Sequence, residues 1–398
     1  MAEPTIPDDD APVARRERRE RHRAFAVVAP GLEALTADEL GGLGLRSARV
    51  TAGGVRFTAT TRQLYAANLW LRTATRVVVR VARFEARTFA ELEAEVAAVD
   101  WAPWFEPGRP VRLRVSSSGS RLHHTGAIAE RVHRASGHPA GDVLDATSSL
   151  RTPARPDDDL PLVVVRVVHD QVTISVDSSG APLGHRGWRL DPAKAPLRET
   201  LAAALLLAAP WDPTTPLVDP FCGSGTIAIE AALLAEGAAP GRDRSFAFAQ
   251  WPSFEPGTWA SVLGAARRPA DATAGSVRIA ASDRDAGAVR ATLANAERAG
   301  VLDALVVEQH AISDLRPAGD GPGLLLTNPP YGTRIGGGGD RRDLFARLGT
   351  VARERLPDSR VGLLVDDGAP IRSTGVRFHE RLRTSNGGIA VRLLVGRP

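Results

Sequence analysis

The chain has one cysteine, Cys222, in 398 residues. Intrachain disulfides and zinc sites built on clustered cysteines are therefore excluded. No window approaches eighteen consecutive apolar residues without a charge, so no membrane-spanning helix is expected. The N-terminal residues carry Asp8, Asp9 and Asp10 and then an arginine run with no apolar stretch behind it, which is not a secretory pattern. A cytoplasmic protein is expected. Lysine is as scarce as cysteine: Lys194 is alone, so all but one of the 50 basic residues are arginine. Alanine and glycine are abundant too, and a GC-rich coding sequence yields all three. Arginine nevertheless grips phosphate bidentately and stacks on bases, which keeps a nucleic-acid partner in view at a net charge of only +4. The nine histidines show no H-x-x-x-H spacing or carboxylate cluster, so no metal site is expected.

What is present is an ordinary globular composition, 43% hydrophobic and 24% charged, in a chain long enough for two or three domains. Residues 1–23 hold Pro4, Pro7, the three aspartates and six arginines without apolar periodicity, and read as a disordered tail. From Ala24 short strands alternate with helices. Strands are expected at 24–29, 55–59, 77–81 and 111–115, with 160–168 and 172–176 as a closing hairpin, and helices near 31–40, 64–71, 92–99 and 126–135. This reads as an α+β region, 24–178, with an antiparallel sheet. After a helix at 197–208, strands at 216–219, 277–282, 305–309, 323–327 and 361–365 alternate with helices, and 376–382 and 389–395 follow as an antiparallel pair. That order predicts a seven-stranded doubly wound α/β sheet within residues 179–398.

Three segments of the second half carry chemistry. In the first, the apolar Leu217-Val218 ends in Asp219, and a turn containing Gly223, Ser224 and Gly225 leads into a helix. Such a turn lets backbone approach a ligand, and the helix N-terminus favours a negative group. A phosphate-binding P-loop would need Gly-Lys-Ser/Thr, which is absent. In the second, an apolar strand ends in Asp283, placed to hold a ribose diol. Asp283 lies far beyond the roughly 20-residue spacing of dinucleotide fingerprints, which demotes a dehydrogenase and implies an insertion at 237–276. The third is Asn328-Pro329-Pro330-Tyr331 after the fourth strand. Two prolines make the loop rigid and extended. It offers the Asn328 amide oxygen and the Pro329 carbonyl as paired acceptors for the exocyclic amine of a base, with Tyr331 to stack on that base. Cys222 sits in the cofactor-side loop rather than beside the base, and reads as a small loop residue.

Together these segments resemble class I S-adenosylmethionine-dependent amino-methyltransferases. Leu183-Gly-His-Arg-Gly-Trp-Arg, Ala195-Pro-Leu-Arg-Glu-Thr and Ala239-Pro-Gly-Arg narrow the resemblance to the THUMP-containing guanine-N2 RNA methyltransferases, as do Pro30-Gly-Leu-Glu, Ala67-Asn-Leu-Trp-Leu-Arg and Asp100-Trp. The resemblance implies a Rossmann-like catalytic domain behind a ferredoxin-like and THUMP region, the THUMP part at roughly 50–178. It implies that Asp219, Gly223, Ser224 and Gly225 hold the methionine moiety of S-adenosylmethionine, that Asp283 holds its ribose, and that Thr200 and Asn328 approach it. Asn328, Pro329, Pro330 and Tyr331 would receive the target base. The implied partner is structured RNA, large-subunit ribosomal RNA first and transfer RNA second, with no membrane or metal. Two other readings are adenine-N6 methylation of DNA, which the same loop serves, and an inactive RNA-binding assembly factor. The chain departs from the family in one place: Gln309-His310-Ala311 lacks the acid often found there beside the adenine, and Asp314 is three residues on.

Overall fold

The computed structural model describes residues 21–145, 160–190, 197–266, 278–330 and 341–398. They form two sheets. The first contains β1 (Arg21–Val28), β2 (Arg49–Thr51), β3 (Gly54–Thr60), β4 (Ala74–Glu85), β5 (Val111–Ser118), β6 (Ala140–Asp145), β7 (Leu162–Val168) and β8 (Gln171–Asp177). Its spatial order is β2-β3-β1-β4-β8-β7-β5-β6. Strand alternation sorts its faces: Ala24, Ala26 and Val28 of β1 enter the core, so Arg21, Arg23 and Phe25 take the other side. Helices α1 (Glu33–Gly42), α2 (Thr61–Trp70), α3 (Phe89–Ala97) and α4 (Thr125–Ser136) connect these strands. Reciprocal capping boxes, Thr60 with Gln63 and Thr88 with Glu91, start α2 and α3.

The first sheet corrects two expectations. β5 pairs in parallel with both β6 and β7, so the sheet is mixed rather than antiparallel. The cause is the β5–α4–β6 crossover, which returns the chain to the same end; periodicity locates strands but not their direction. β1 also begins at Arg21, with Arg21 to Arg23 paired to Thr60 to Thr58, inside the stretch read as tail; residues 1–20 lie outside the described residues. The closing hairpin is present, with His169 and Asp170 both at positive φ in a two-residue turn whose twist suits the β7–β8 pair.

The second sheet contains β9 (Leu217–Asp219), β10 (Ile279–Asp283), β11 (Leu305–Gln309), β12 (Leu324–Thr327), β13 (Arg360–Asp366), β14 (Arg377–Asn386) and β15 (Ile389–Arg397). Its order is β11-β10-β9-β12-β13-β15-β14. β9 to β13 are parallel, and β15 runs antiparallel between β13 and β14. This is the doubly wound sheet expected from the strand–helix alternation. α5 (Glu199–Ala208) precedes β9, α6 (Thr226–Ala235) follows it, α8 (Ala286–Ala299) follows β10, and α9 (Arg341–Arg355) precedes β13. Asp285 caps α8 by accepting from the Gly287 N–H at 2.7 Å, and Gly300 closes it at φ 70°. The strand order reverses between β9 and β12, so a crevice for a ligand lies at their carboxyl ends.

The insertion fastens the second half to the first. Its helix α7 (Pro256–Ala266) packs on α2. Phe248 stacks on Tyr65 at 4.2 Å between ring centroids, and the Tyr65 hydroxyl accepts from the Glu255 N–H at 3.1 Å. One apolar cluster consequently runs from Ala24 to Val395.

Candidate active site

β9 delivers Asp219 to the crevice, and the chain turns through Cys222 and Gly223 into α6. Gly223 and Gly225 both have left-handed backbone, at φ 56° and 80°. A Cβ on Gly225 would stand 2.6 Å from Cγ2 of Thr292, so a side chain has no room. The loop is braced from the neighbouring strand and helix. The Gly223 N–H donates to Asp283 Oδ2 at 3.1 Å, and the Cys222 N–H donates to the Ser282 carbonyl at 3.0 Å. Thr292 Oγ1 donates to the Gly223 carbonyl at 3.0 Å, and Asn295 Nδ2 to the Ser224 carbonyl at 3.1 Å.

Asp219 is 1% exposed. It accepts from the Thr327 hydroxyl at 2.6 Å and from the Phe221 N–H at 3.3 Å. Burial is the chief reason its pKa is pushed up to about 7; the two hydrogen bonds oppose the rise and the Asp283 charge adds to it. Its charge is therefore set near neutral pH by what enters the crevice. Asp283, half-buried at the end of β10, accepts from Gly223 and, through Oδ1, from the Asp285 N–H at 3.0 Å. A carboxylate has further lone pairs, so acceptor capacity remains. Burial, and next the Asp219 charge, push the Cys222 thiol upward, so it stays protonated, as suits a small loop residue rather than a nucleophile.

Asn328 follows Thr327 at the end of β12. Its Oδ1 is buried and accepts no hydrogen bond among the described residues. An orphaned buried acceptor costs about 1–3 kcal/mol, which makes this oxygen a place for an incoming donor. Pro329 is buried beside it and Pro330 is half-buried; Tyr331 lies outside the described residues. Thr200 stands in the first turn of α5 beside Gly184, and no hydrogen bond joins it to the 219–225 loop among the described residues. Among the described residues hydrogen bonds join Asp219 to Thr327 and to the turn, and the turn to Asp283, and none joins Thr200 to them. Asp314 falls on the short turn Ile312–Asp314, and Gln309 spends its amide on the Arg284 carbonyl at 3.2 Å.

Several supporting residues escaped sequence reasoning. Thr327 is a polar residue in an otherwise apolar strand, and Thr292 and Asn295 sit three apart on one face of α8; both were available signals. Behind the site, Arg186 binds Glu230 of α6 at 3.2 Å and the Arg72 carbonyl at 2.8 Å, while Arg72 binds the Ala238 carbonyl at 2.5 Å. These buried arginines tie the helix that starts at the glycine turn to the first sheet's end. Among the described residues no group of three His, Cys, Asp or Glu is placed to hold a metal, and no helix is long and apolar enough to cross a membrane.

A family model described as an RMKL-like methyltransferase domain matches residues 186–372, and one described as an RlmL ferredoxin-like domain matches residues 23–78. A candidate RNA methyltransferase of Synechocystis sp. is 32% identical over 373 residues, covering 93% of this chain and 95% of that protein. The chain belongs to the RMKL-like methyltransferase family. The ribosomal RNA large subunit methyltransferase K/L of Syntrophotalea carbinolica is 35% identical over 379 residues, 93% of this chain and 53% of that protein. The chain thus spans about half the length of these K/L relatives. A solved structure from Listeria monocytogenes, described as a "predicted N6-adenine-specific DNA methylase", is 30% identical with a TM-score of 0.81, covering 95% of this chain and 97% of that one. A candidate methyltransferase complexed with SAH is 29% identical with the same TM-score, covering 95% and 98%. The RMKL-like match begins at Arg186, the residue that anchors α6, and the ferredoxin-like match spans β1 to the start of β4.

Proposed function

We propose that this chain transfers a methyl group from S-adenosylmethionine to the exocyclic N2 amine of a guanine in structured RNA, large-subunit ribosomal RNA first and transfer RNA second. The observation that carries the reading is Asn328 Oδ1 at the carboxyl end of β12, buried and without a hydrogen-bond partner among the described residues, one residue from the Thr327–Asp219 hydrogen bond. The residues present fit the cofactor. The glycine turn admits backbone contact, Asp283 has acceptor capacity for ribose hydroxyls, and Asp219 is a buried carboxyl whose charge a cationic methionine moiety would favour. Thr200 approaches from α5. When bound, S-adenosylmethionine supplies a methyl group already activated on a sulfonium.

The chain's own residues then align and shield. Asn328 Oδ1 and the Pro329 carbonyl accept from the amine and fix its lone pair in line, Pro330 holds the loop extended, and Tyr331 stacks on the base. No basic side chain is required, because the amine becomes acidic once alkylated and its proton leaves afterwards. RNA methyltransferase relatives and the first sheet's arginines favour RNA. The test is mass spectrometry of ribosomal and transfer RNA nucleosides from cells lacking the protein. Loss of N2-methylguanosine, restored by the wild-type chain and not by Asn328→Ala, is expected. Loss of N6-methyladenosine instead would overturn the guanine assignment, and absence of cofactor binding by calorimetry would leave an assembly factor.

A further inference from the structure

The first sheet splits at one end. β1 pairs with β4 only from Ala24 opposite Val79 onward, and Arg21 to Arg23 keep β3 alone. β4 continues beside β8 with a bulge between Arg80 and Ala82. A bulge bends its strand, and here the two strands part. A groove of about 730 Å³ opens between them. Arg21, Arg23, Arg49, Arg56, Arg80 and Arg83 line it, and Asp100 is the only carboxylate in the lining.

Among the described residues little of this charge is neutralised. Arg21, Arg23, Arg56 and Arg83 are exposed, and none has a carboxylate partner among the described residues. Arg80 lies over the Phe25 ring at 4.6 Å, and Arg56, Arg83 and Arg166 all act on it as like charges. Clustered cations repel one another, and a polyanion relieves that repulsion. The groove also offers a ring. Trp104 is half-buried in its wall, held edge-on against Trp251 at 4.8 Å.

We propose that this split between β1 and β4 is the docking groove for a single-stranded segment of the substrate RNA, its phosphates on the arginines and a base against Trp104. The proposal rests on the RNA reading above and adds the surface and the strandedness. A double helix cannot enter a gap between two strands of one sheet, whereas an unpaired strand presents both phosphates and a free base face.

The test uses the full chain carrying Arg21→Gln, Arg56→Gln and Arg83→Gln together, all exposed positions outside the cofactor crevice. An equal-charge control carries Arg347→Gln, Arg377→Gln and Arg381→Gln, three exposed positions in the second half. Binding of a labelled twelve-residue oligouridine is followed by anisotropy from low to high salt. Each phosphate contact on a single strand contributes about 0.7 to the slope of log affinity against log salt, so the triple variant should lose about 2 in slope and at least about tenfold in affinity. The control should keep the wild-type slope once corrected for net charge. Unchanged affinity and slope in the triple variant would overturn the proposal, as would an RNA duplex that binds as tightly as the single strand and suffers the same loss. Trp104→Ala is a second arm: a weaker oligouridine complex with an unchanged salt slope is expected, and unaltered binding would remove the base contact. Cofactor affinity and melting temperature are read for every variant. Normal docking with no N2-methylguanosine formed would refute the methyl-transfer reading and leave the groove standing.

Discussion

At Asp219 a carboxyl group sits fully buried with two hydrogen bonds, and desolvation outweighs them to hold its pKa near 7. The folded value lies above the ordinary 3.8, so the native state binds a proton that the unfolded chain has released. This group's stabilising contribution is complete at low pH and is lost as pH rises from about 4 through about 7. Cofactor-free protein should therefore lose melting temperature between pH 5 and 7.5, and Asp219→Asn should flatten that slope. Because a cationic ligand favours the ionised carboxylate, cofactor affinity should fall below pH 7 by up to about tenfold per unit, and Asp219→Asn should abolish that dependence in calorimetry. Asn328 makes a different prediction. In the proposed reaction its oxygen would strengthen its hold as positive charge develops on the amine, so its removal would fall on kcat. Asn328→Ala should cost about 10²–10³ in single-turnover transfer, with both substrates still bound; near-normal turnover would dismiss the loop from the chemistry.

The glycine turn shows how elements share one task. Asp283, proposed above to hold the ribose, already receives the Gly223 N–H and so ties the tip of β10 to the turn after β9. Asp283→Ala should weaken cofactor binding by about tenfold or more, since charged hydrogen bonds are worth roughly 1.5–3 kcal/mol each, while RNA affinity stays near wild type. Unchanged calorimetric binding would remove it from the site. This end of the sheet was legible because strand-end acids, glycines and prolines interrupt apolar runs in a fixed order. The helix at 286–299 and its Gly300 stop were equally legible. Strand direction in the first sheet was not, since an apolar period of two is the same in parallel and antiparallel pairs, and only the β5–α4–β6 crossover settles it. β2 was missed because three largely exposed residues carry no pattern. Thr327, Thr292 and Asn295 were missed because their value lies in partners distant along the chain.

At the scale of the whole molecule, the arginine-bearing sheet and the crevice sheet are joined through a continuous apolar core rather than a hinge. Residues 237–276 were expected only as an insertion lengthening the distance to Asp283. Their described part instead seats Phe246 and Phe248 between α2 and α7, with Trp259 edge-on at 5.6 and 5.3 Å. Arg186, Glu230 and Arg72 add a buried polar joint in which removal of one partner strands a charge. Burial of this kind couples the stability of the two sheets, so the chain should unfold in one calorimetric transition with matching calorimetric and van't Hoff enthalpies. Phe248→Ala strikes the centre of the shared core and should cost about 3–5 kcal/mol, lowering that single transition as a whole. Glu230→Gln should do the same through the polar joint. Two separate transitions in the wild-type chain, or a Phe248→Ala variant that lowers one transition and leaves a second in place, would show that the sheets fold independently and that the insertion merely bridges them.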